Sequence, residues 1–233
     1  MEAEPSPAVE VFDSYYGIKV PVGPHLTPRH RVQIAEGGYE WAEIGGVRAI
    51  VQPGDRVLEC GTGVGVVSAV AAFHGGAEAV LCFEGNPVLI EPIRSLHKLN
   101  ELDGMMEVRN QILLAGPNQP DHVKFNVRGN FLGSRVTDIA LKGSIVEIPT
   151  ADYATVKEEF RPNVILMDIE GGESDFLAHA DLTGIRAIIV EFHPEIYGVP
   201  GMRECKNTLL QQGFARLECS TRAVWAMVRE LPV

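Results

Sequence analysis

The stretch "LECGTGVGVVSAVAA", residues 58–72, decides the fold. An apolar run ends at Glu59 and Cys60, glycines follow at alternate positions (Gly61, Gly63, Gly65), and a nearly unbroken apolar segment comes next. Glycine lets a chain turn sharply after a strand and lets a ligand approach the backbone N–H groups at the start of a helix. The spacing predicts strand, loop and helix, with the loop as a ligand cradle.

Similar punctuation recurs on the C-terminal side. The runs "RVLEC" (56–60), "AVLCFE" (79–84), "MEVRNQ" (106–111), "NVILMD" (163–168) and "AIIVE" (187–191) are nearly continuous in apolar residues, as in strands covered on both faces. Between them, 64–73, 87–101 and 173–180 carry apolar residues at three- and four-residue spacing, which predicts helices. The βαβα order implies a parallel sheet flanked by helices on both faces. Near the end, "FARLECS" (214–220) and "AVWAMVREL" (223–231) are separated only by "TR", too short for a helical crossover, so an antiparallel hairpin is expected. The fold class is therefore α/β, Rossmann-like, with a mostly parallel seven-stranded sheet.

Residues 1–50 read as an N-terminal extension with a cap helix from about Gly38 to Val51, and 51–233 as the main domain. Within that domain, 115–150 hold two strand-like pieces that predict an inserted flap, and the apolar "FLGSRV" (131–136) hints at a lid.

Composition narrows the function. The chain has 233 residues, 45% hydrophobic, with a formal net charge of −11, and that charge opposes binding to a phosphate backbone. No nucleic-acid partner is expected. Four cysteines without CxxC spacing argue against a zinc knuckle or a disulfide framework. The acidic, proline-containing start and the lack of a long apolar run predict a cytoplasmic protein without membrane partners.

The dinucleotide fingerprint GxGxxG would need its third glycine at 66, where the chain has Val66. The loop is GxGxG, preceded by Glu59, and the second strand ends in "CFEGNP", where Glu84 can accept hydrogen bonds from two ribose hydroxyls. Together, "VLECGTGVG" and "LCFEGNP" resemble motifs I and II of class I S-adenosylmethionine-dependent methyltransferases. The segments "ILMDIEGGESDFL" (165–177) and "IIVEFHP" (188–194) resemble the FkbM-type family within that class, a similarity spanning roughly residues 50–195. The chain departs from the family pattern at Met167, where a lysine-bearing strand is usual, and at "TADYATV" ahead of the fourth strand.

The resemblance implies S-adenosylmethionine as cofactor. Glu59, Gly61, Gly63 and Gly65 would lie against its methionine part, Glu84 on the ribose, Asn110 and Gln111 beside the adenine, and Tyr39 with Glu40 over the amino-acid end. It also implies O-methylation of a hydroxyl on a small molecule or sugar-containing acceptor.

In an open α/β sheet, ligands lie outside the carboxyl ends of the strands. Asp168 and Glu191 end strands there, and Glu170 and His193 follow two residues later. These four are expected to face the sulfonium methyl, with His193 as general base oriented by Asp168 or Glu191. Such a set could also hold a divalent ion, although residue types alone do not favour one. Glu173 is expected only to begin the next helix, and His193-Pro194 could equally be a turn.

Two other functions are open. A nicotinamide-dependent oxidoreductase would share the early sheet, and a non-catalytic cofactor-binding module would share all of it. Val66 and the closing hairpin count against the first, and the acid-rich rim against the second. Methylation of nucleobase amines would call for a Pro-Pro-aromatic segment where this chain has "DIEGG".

Overall fold

The computed structural model of the protein describes residues 11–127, 135–136 and 143–230. The chain opens with a hairpin, β1 (Val11–Tyr15) and β2 (Ile18–Pro21), followed by helices α1 (Pro28–Ala35) and α2 (Trp41–Ile50). Alternating elements come next: β3 (Arg56–Cys60), α3 (Val66–Phe73), β4 (Ala79–Phe83), a 3-10 turn (Pro87–Leu89), α4 (Ile90–Leu99) and β5 (Met106–Arg109). A set of strands interrupts this rhythm: β6 (Ile112–Leu114), β7 (His122–Val127), β8 (Arg135–Val136) and β9 (Ser144–Asp152). The rest comprises α5 (Tyr153–Phe160), β10 (Val164–Met167), α6 (Glu173–His179), β11 (Ala187–Glu191), α7 (Pro194–Gln211), β12 (Ala215–Arg216) and β13 (Val224–Val228).

The main sheet has seven strands in the order β12-β13-β11-β10-β3-β4-β5. From β11 to β5 every pairing is parallel, while β13 runs antiparallel to both β11 and β12. The Rossmann-like sheet expected from the sequence is thus present, closing hairpin included. Its hairpin is shorter at the first strand than expected. Ala215 and Arg216 pair in register with β13 and the Leu217 N–H donates to the Ala226 carbonyl at 2.9 Å, after which the chain turns, the Ser220 N–H donating to the Leu217 carbonyl at 3.2 Å.

Strand order reverses at β3. The chain moves outward through β4 and β5, then returns to lay β10 on the other side of β3. The crevice between the carboxyl ends of β3 and β10 is therefore the place where such a sheet binds ligands.

Period-two alternation divides the apolar strands between two cores. Val57, Val80, Cys82, Val164, Leu166 and Ile189 pack with residues of α2, α3 and α4. Leu58, Leu81, Phe83, Ile165, Met167 and Val190 pack with residues of α5, α6 and α7 on the other face. Burial on both faces explains why these strands lack polar alternation.

The expected cap helix is α2, beginning a few residues later than the sequence suggested, while the β1–β2 hairpin and α1 had no clear periodic signal. The segment after β11 differs more. Instead of a turn, His193 is the cap residue of α7, and Pro194 occupies the first helical position, where its missing N–H costs nothing.

The strands β6 to β9 form a separate sheet in the order β6-β9-β7-β8. It lies against the turn after β4: a Cβ added to Gly85 would be 2.5 Å from Ile112 and 2.7 Å from Phe125. Residues 131–134 of the apolar stretch read as a lid lie outside the described residues. Among the described residues, no helix is long and apolar enough to cross a membrane.

At the amino ends of the strands, the buried Asp55 carboxylate joins three chain segments. It accepts hydrogen bonds from Arg186 Nε (2.9 Å), Asn163 Nδ2 (2.9 Å) and the Gln52 N–H (2.8 Å), and it pairs with a second Arg186 nitrogen. Asn163 Oδ1 in turn accepts from the Arg56 N–H at 2.8 Å. The starts of β3, β10 and β11 are thereby clamped together. Asp55→Ala should lower stability by about 3 kcal/mol, since it strands a guanidinium and an amide without their acceptor. Urea unfolding of the variant checks this, and a change below about 0.5 kcal/mol, the scale of an ordinary surface substitution, would refute the clamp.

Candidate active site

Glycine is required at position 61 by contact as well as by its φ of +80°. A Cβ there would sit 1.7 Å from the Asp168 carbonyl oxygen. The Gly61 N–H donates to the Phe83 carbonyl at 2.9 Å, and the Asp168 N–H to the Cys60 carbonyl at 2.9 Å. The loop after β3 is thus held between the ends of β4 and β10. Gly63 and Gly65 also have positive φ, and Gly65 is the cap residue of α3. Val66, where a dinucleotide fingerprint would place glycine, is the first residue of that helix and is fully buried.

A cavity of about 490 Å³ opens at this crevice, within the ~300–1,000 Å³ typical of small-molecule sites. Gly61, Gly63 and Glu84 line one part of it, and Asp168 and Glu170 another. Leu89, Ile112 and Phe125 add apolar surface near Glu84.

Glu84 is buried, and its two oxygens accept the Gly63 N–H (2.8 Å) and the Asn86 N–H (2.7 Å). Burial pushes its carboxyl up to about 7, although backbone N–H groups oppose the shift. Glu59 does not line the cavity. It is buried beneath the loop, where burial raises it to about 7 against hydrogen bonds from Ser68, Thr62 and Cys82.

Tyr39 and Glu40 stand over the loop. A Cβ on Gly63 would lie 3.7 Å from the Tyr39 hydroxyl and 3.9 Å from Glu40 Oε1. Glu40 adopts a left-handed φ of 45°, and burial pushes its carboxyl up to about 8. His30, which the sequence suggested was a packing or surface residue, also lines the cavity.

Asn110 and Gln111 part company. The Asn110 amide donates to the carbonyls of Glu84 (2.8 Å) and Gly85 (3.2 Å), which places it behind the turn and off the lining. Gln111 lines the cavity, and its amide donates to the Thr150 carbonyl on β9 at 3.3 Å.

The acids at the strand ends are arranged around His193. Its Nδ1 lies 2.9 Å from Glu173 Oε1, and its Nε2 lies 3.5 Å from Asp168 Oδ1 and 3.6 Å from Glu170 Oε2. The imidazole stands behind the two carboxylates and is not itself part of the lining. Burial opposes charge on His193, but the bond to Glu173 and the charges of Asp168 and Glu170 outweigh it, holding its pKa at about 10. Asp168 is raised well above the usual carboxylate range by burial and by Glu191. Glu170, like Glu40, takes a left-handed φ (51°), a costly conformation for a non-glycine residue and one that clusters at functional sites.

The partner that orients His193 is Glu173, rather than Asp168 or Glu191. Glu173 does begin α6, as expected, but its side chain is fully buried and points inward. Its Oε1 also accepts from the N–H groups of Ile169 (3.3 Å) and Gly171 (3.2 Å). Helical spacing carried the signal, because Glu173 shares a face with the buried Phe176 and Leu177 at i+3 and i+4. Glu191 is drawn instead toward Glu43 on α2: burial first, then this neighbouring acid, raises it to about 7.

Among known proteins, the ribosomal protein L11 methyltransferase of Bacillus velezensis is 43% identical over 67 residues, covering 29% of this chain and 21% of that relative. The chain thus spans about a fifth of the length of the curated relative it matches. A transferase of Pyrococcus horikoshii shares the fold at 16% identity, with a TM-score of 0.50 over 96% of this chain and 71% of that one. A tRNA methyltransferase of Bacillus subtilis matches at 12% identity and a TM-score of 0.47, over 81% and 66%. The tRNA acceptor belongs to that neighbour; the absence of a nucleic-acid partner is, for this chain, an expectation from its sequence. The model of the methyltransferase FkbM domain matches residues 59–215, the span that holds the glycine loop, Glu84 and the acid rim. The chain belongs to the FkbM family of S-adenosylmethionine-dependent methyltransferases.

Proposed function

We propose that this protein transfers the methyl group of S-adenosylmethionine to a hydroxyl oxygen of a small-molecule or glycan acceptor. The observation that carries this reading is that one cavity joins the glycine loop and Glu84 to the carboxylates of Asp168 and Glu170.

In this reading Glu84 accepts the ribose hydroxyls, and Gly61 and Gly63 let the methionine part approach the backbone closely, while Gly65, off the cavity lining, packs toward Ile93. Glu59 supports the loop from below. Tyr39 and Glu40 cover the amino-acid end, where a carboxyl can meet the ammonium group. The adenine lies among Leu89, Ile112 and Phe125 near Gln111, while Asn110 braces the Glu84 turn.

Methyl transfer is an in-line displacement with an excellent leaving group, so the protein mainly aligns the acceptor and removes its proton. The His193 imidazole is held by Glu173 and stands behind Asp168 and Glu170, off the cavity lining, so it is not placed to take the acceptor's proton directly. That role passes to the Asp168 and Glu170 carboxylates, with Glu191 alongside, and the imidazolium of His193 balances their charge. A neutral hydroxyl fits such an acidic rim better than a phosphate-bearing acceptor, and the net charge of −11 acts in the same direction.

S-adenosylmethionine and its demethylated product should raise the melting temperature while NAD should not, and Glu84→Ala should weaken cofactor affinity at least tenfold, as read by calorimetry. Stabilisation by NAD alone would overturn the cofactor assignment.

Asp168→Asn should slow transfer of labelled methyl groups into a metabolite extract by about 10²–10⁴-fold, the usual scale for a lost acid–base group. Cofactor affinity should stay within a few-fold, and an unchanged transfer rate would remove Asp168 from the chemistry.

The buried acids Glu59 and Glu84 have folded pKa values near 7, above the ordinary glutamate value of 4.5. The folded state therefore binds more protons between those values, and this contribution to stability is lost as pH rises. The melting temperature of the ligand-free protein should fall steadily from mildly acidic to mildly alkaline pH, whereas a rise would contradict the burial of these acids.

A further inference from the structure

We infer that Asp168 Oδ1, Glu170 Oε2 and His193 Nε2 form a site for one first-row divalent cation of the Mn²⁺ or Zn²⁺ class, with Glu173 as its supporting residue. This assignment rests on the reading of this rim as the acceptor end of the cavity, and it reverses the balance that residue types alone suggested.

The three donor atoms converge. One potential ligand atom from each residue lies within 4.8 Å of the other two. The separations from His193 Nε2 are 3.5 Å to Asp168 and 3.6 Å to Glu170. These are too long for good hydrogen bonds. Two ligands bound at about 2.1 Å to one metal are themselves separated by roughly 3.0–3.5 Å in octahedral or tetrahedral geometry, close to what is seen.

Unmet bonding at the same place points to a ligand independently. Asp168 Oδ1 is a buried oxygen with no hydrogen-bond partner. The His193 side chain is more than nine-tenths buried, and its Nε2, aimed at the two carboxylates, is in no hydrogen bond among the described residues.

The other side of the ring supplies what metal-binding histidines generally have. A ligating histidine usually gives its second N–H to a carboxylate, which fixes the tautomer and turns the other nitrogen to the metal. Glu173 does this at 2.9 Å, and it is itself fixed by the N–H groups of Ile169 and Gly171. The mixed donor set of one imidazole and two carboxylates suits Mn²⁺ or Zn²⁺ better than the all-oxygen shells of Ca²⁺ and Mg²⁺. Binding displaces the Nε2 proton to solvent, since imidazole ligates only when that nitrogen is free. A cation here would face the cavity beside the acceptor and lower the pKa of its hydroxyl.

The test is Mn²⁺ binding to the full-length protein followed by electron paramagnetic resonance, with and without S-adenosylhomocysteine. One saturable Mn²⁺ per chain is expected, with nitrogen modulation of its spin echo from the His193 ring. Glu173→Gln should weaken binding by about 10–100-fold, and His193→Ala should abolish the nitrogen signal while leaving S-adenosylhomocysteine affinity intact. Absence of a one-to-one site, or a saturable site without nitrogen coupling in the unaltered protein, would overturn the assignment. The spin-echo measurement needs no variant, so it decides the matter even where the His193→Ala chain fails to fold. Binding of S-adenosylhomocysteine is scored separately, so failure of the cofactor reading and failure of the metal site give different results.

Discussion

The approach of the Gly61 backbone to the Asp168 carbonyl organises the rest of the molecule. There is no room for even a methyl group between them. That contact brings the loop after β3 against the end of β10, at the point where strand order reverses. The same closeness puts backbone N–H donors and the Asp168 and Glu170 carboxylates on one cavity. A residue larger than glycine would separate them by a side chain's width, more than a displacement reaction tolerates.

Much of this was legible in the sequence. The five parallel strands announce themselves as apolar runs because both of their faces are covered, and the glycine loop and Glu84 follow at their ends. The β1–β2 hairpin and α1, whose residues show no clear period, were less legible, as was the shortened strand at Ala215–Arg216, where a local turn displaced the apparent pattern. At the site, the sequence identified the acidic residues and missed how they are paired. Asp168, Glu170 and His193 come together as expected. Only packing shows that Glu173 turns inward, that Glu191 leans toward Glu43, and that Asn110 is used up on the backbone behind Glu84.

The two ends of the sheet solve opposite electrostatic problems. Around Asp55, the carboxylate, the guanidinium and the amide satisfy one another, and the result is a fixed clamp. Around Asp168, carboxyls outnumber the groups able to neutralise them, and several sit far above their ordinary pKa because burial disfavours their charge. Crowding buried carboxyls in this way is costly in itself, and the positively charged sulfonium of the proposed reading would offset that cost. Strands β6 and β7 add the apolar side chains of Ile112–Leu114 and Phe125 to the same cavity, and apolar walls strengthen electrostatic interactions inside it.

Burial raises the Glu84 carboxyl to about 7 and the Glu40 carboxyl to about 8, so both hold a proton more readily than a free glutamate does. In the proposed reading a cation enters beside them and favours their ionised forms, so cofactor binding would release protons into solvent. The heat measured on binding then includes the ionisation heat of whatever buffer takes those protons up. Two laboratories using different buffers would report different enthalpies for the same event while agreeing on the affinity.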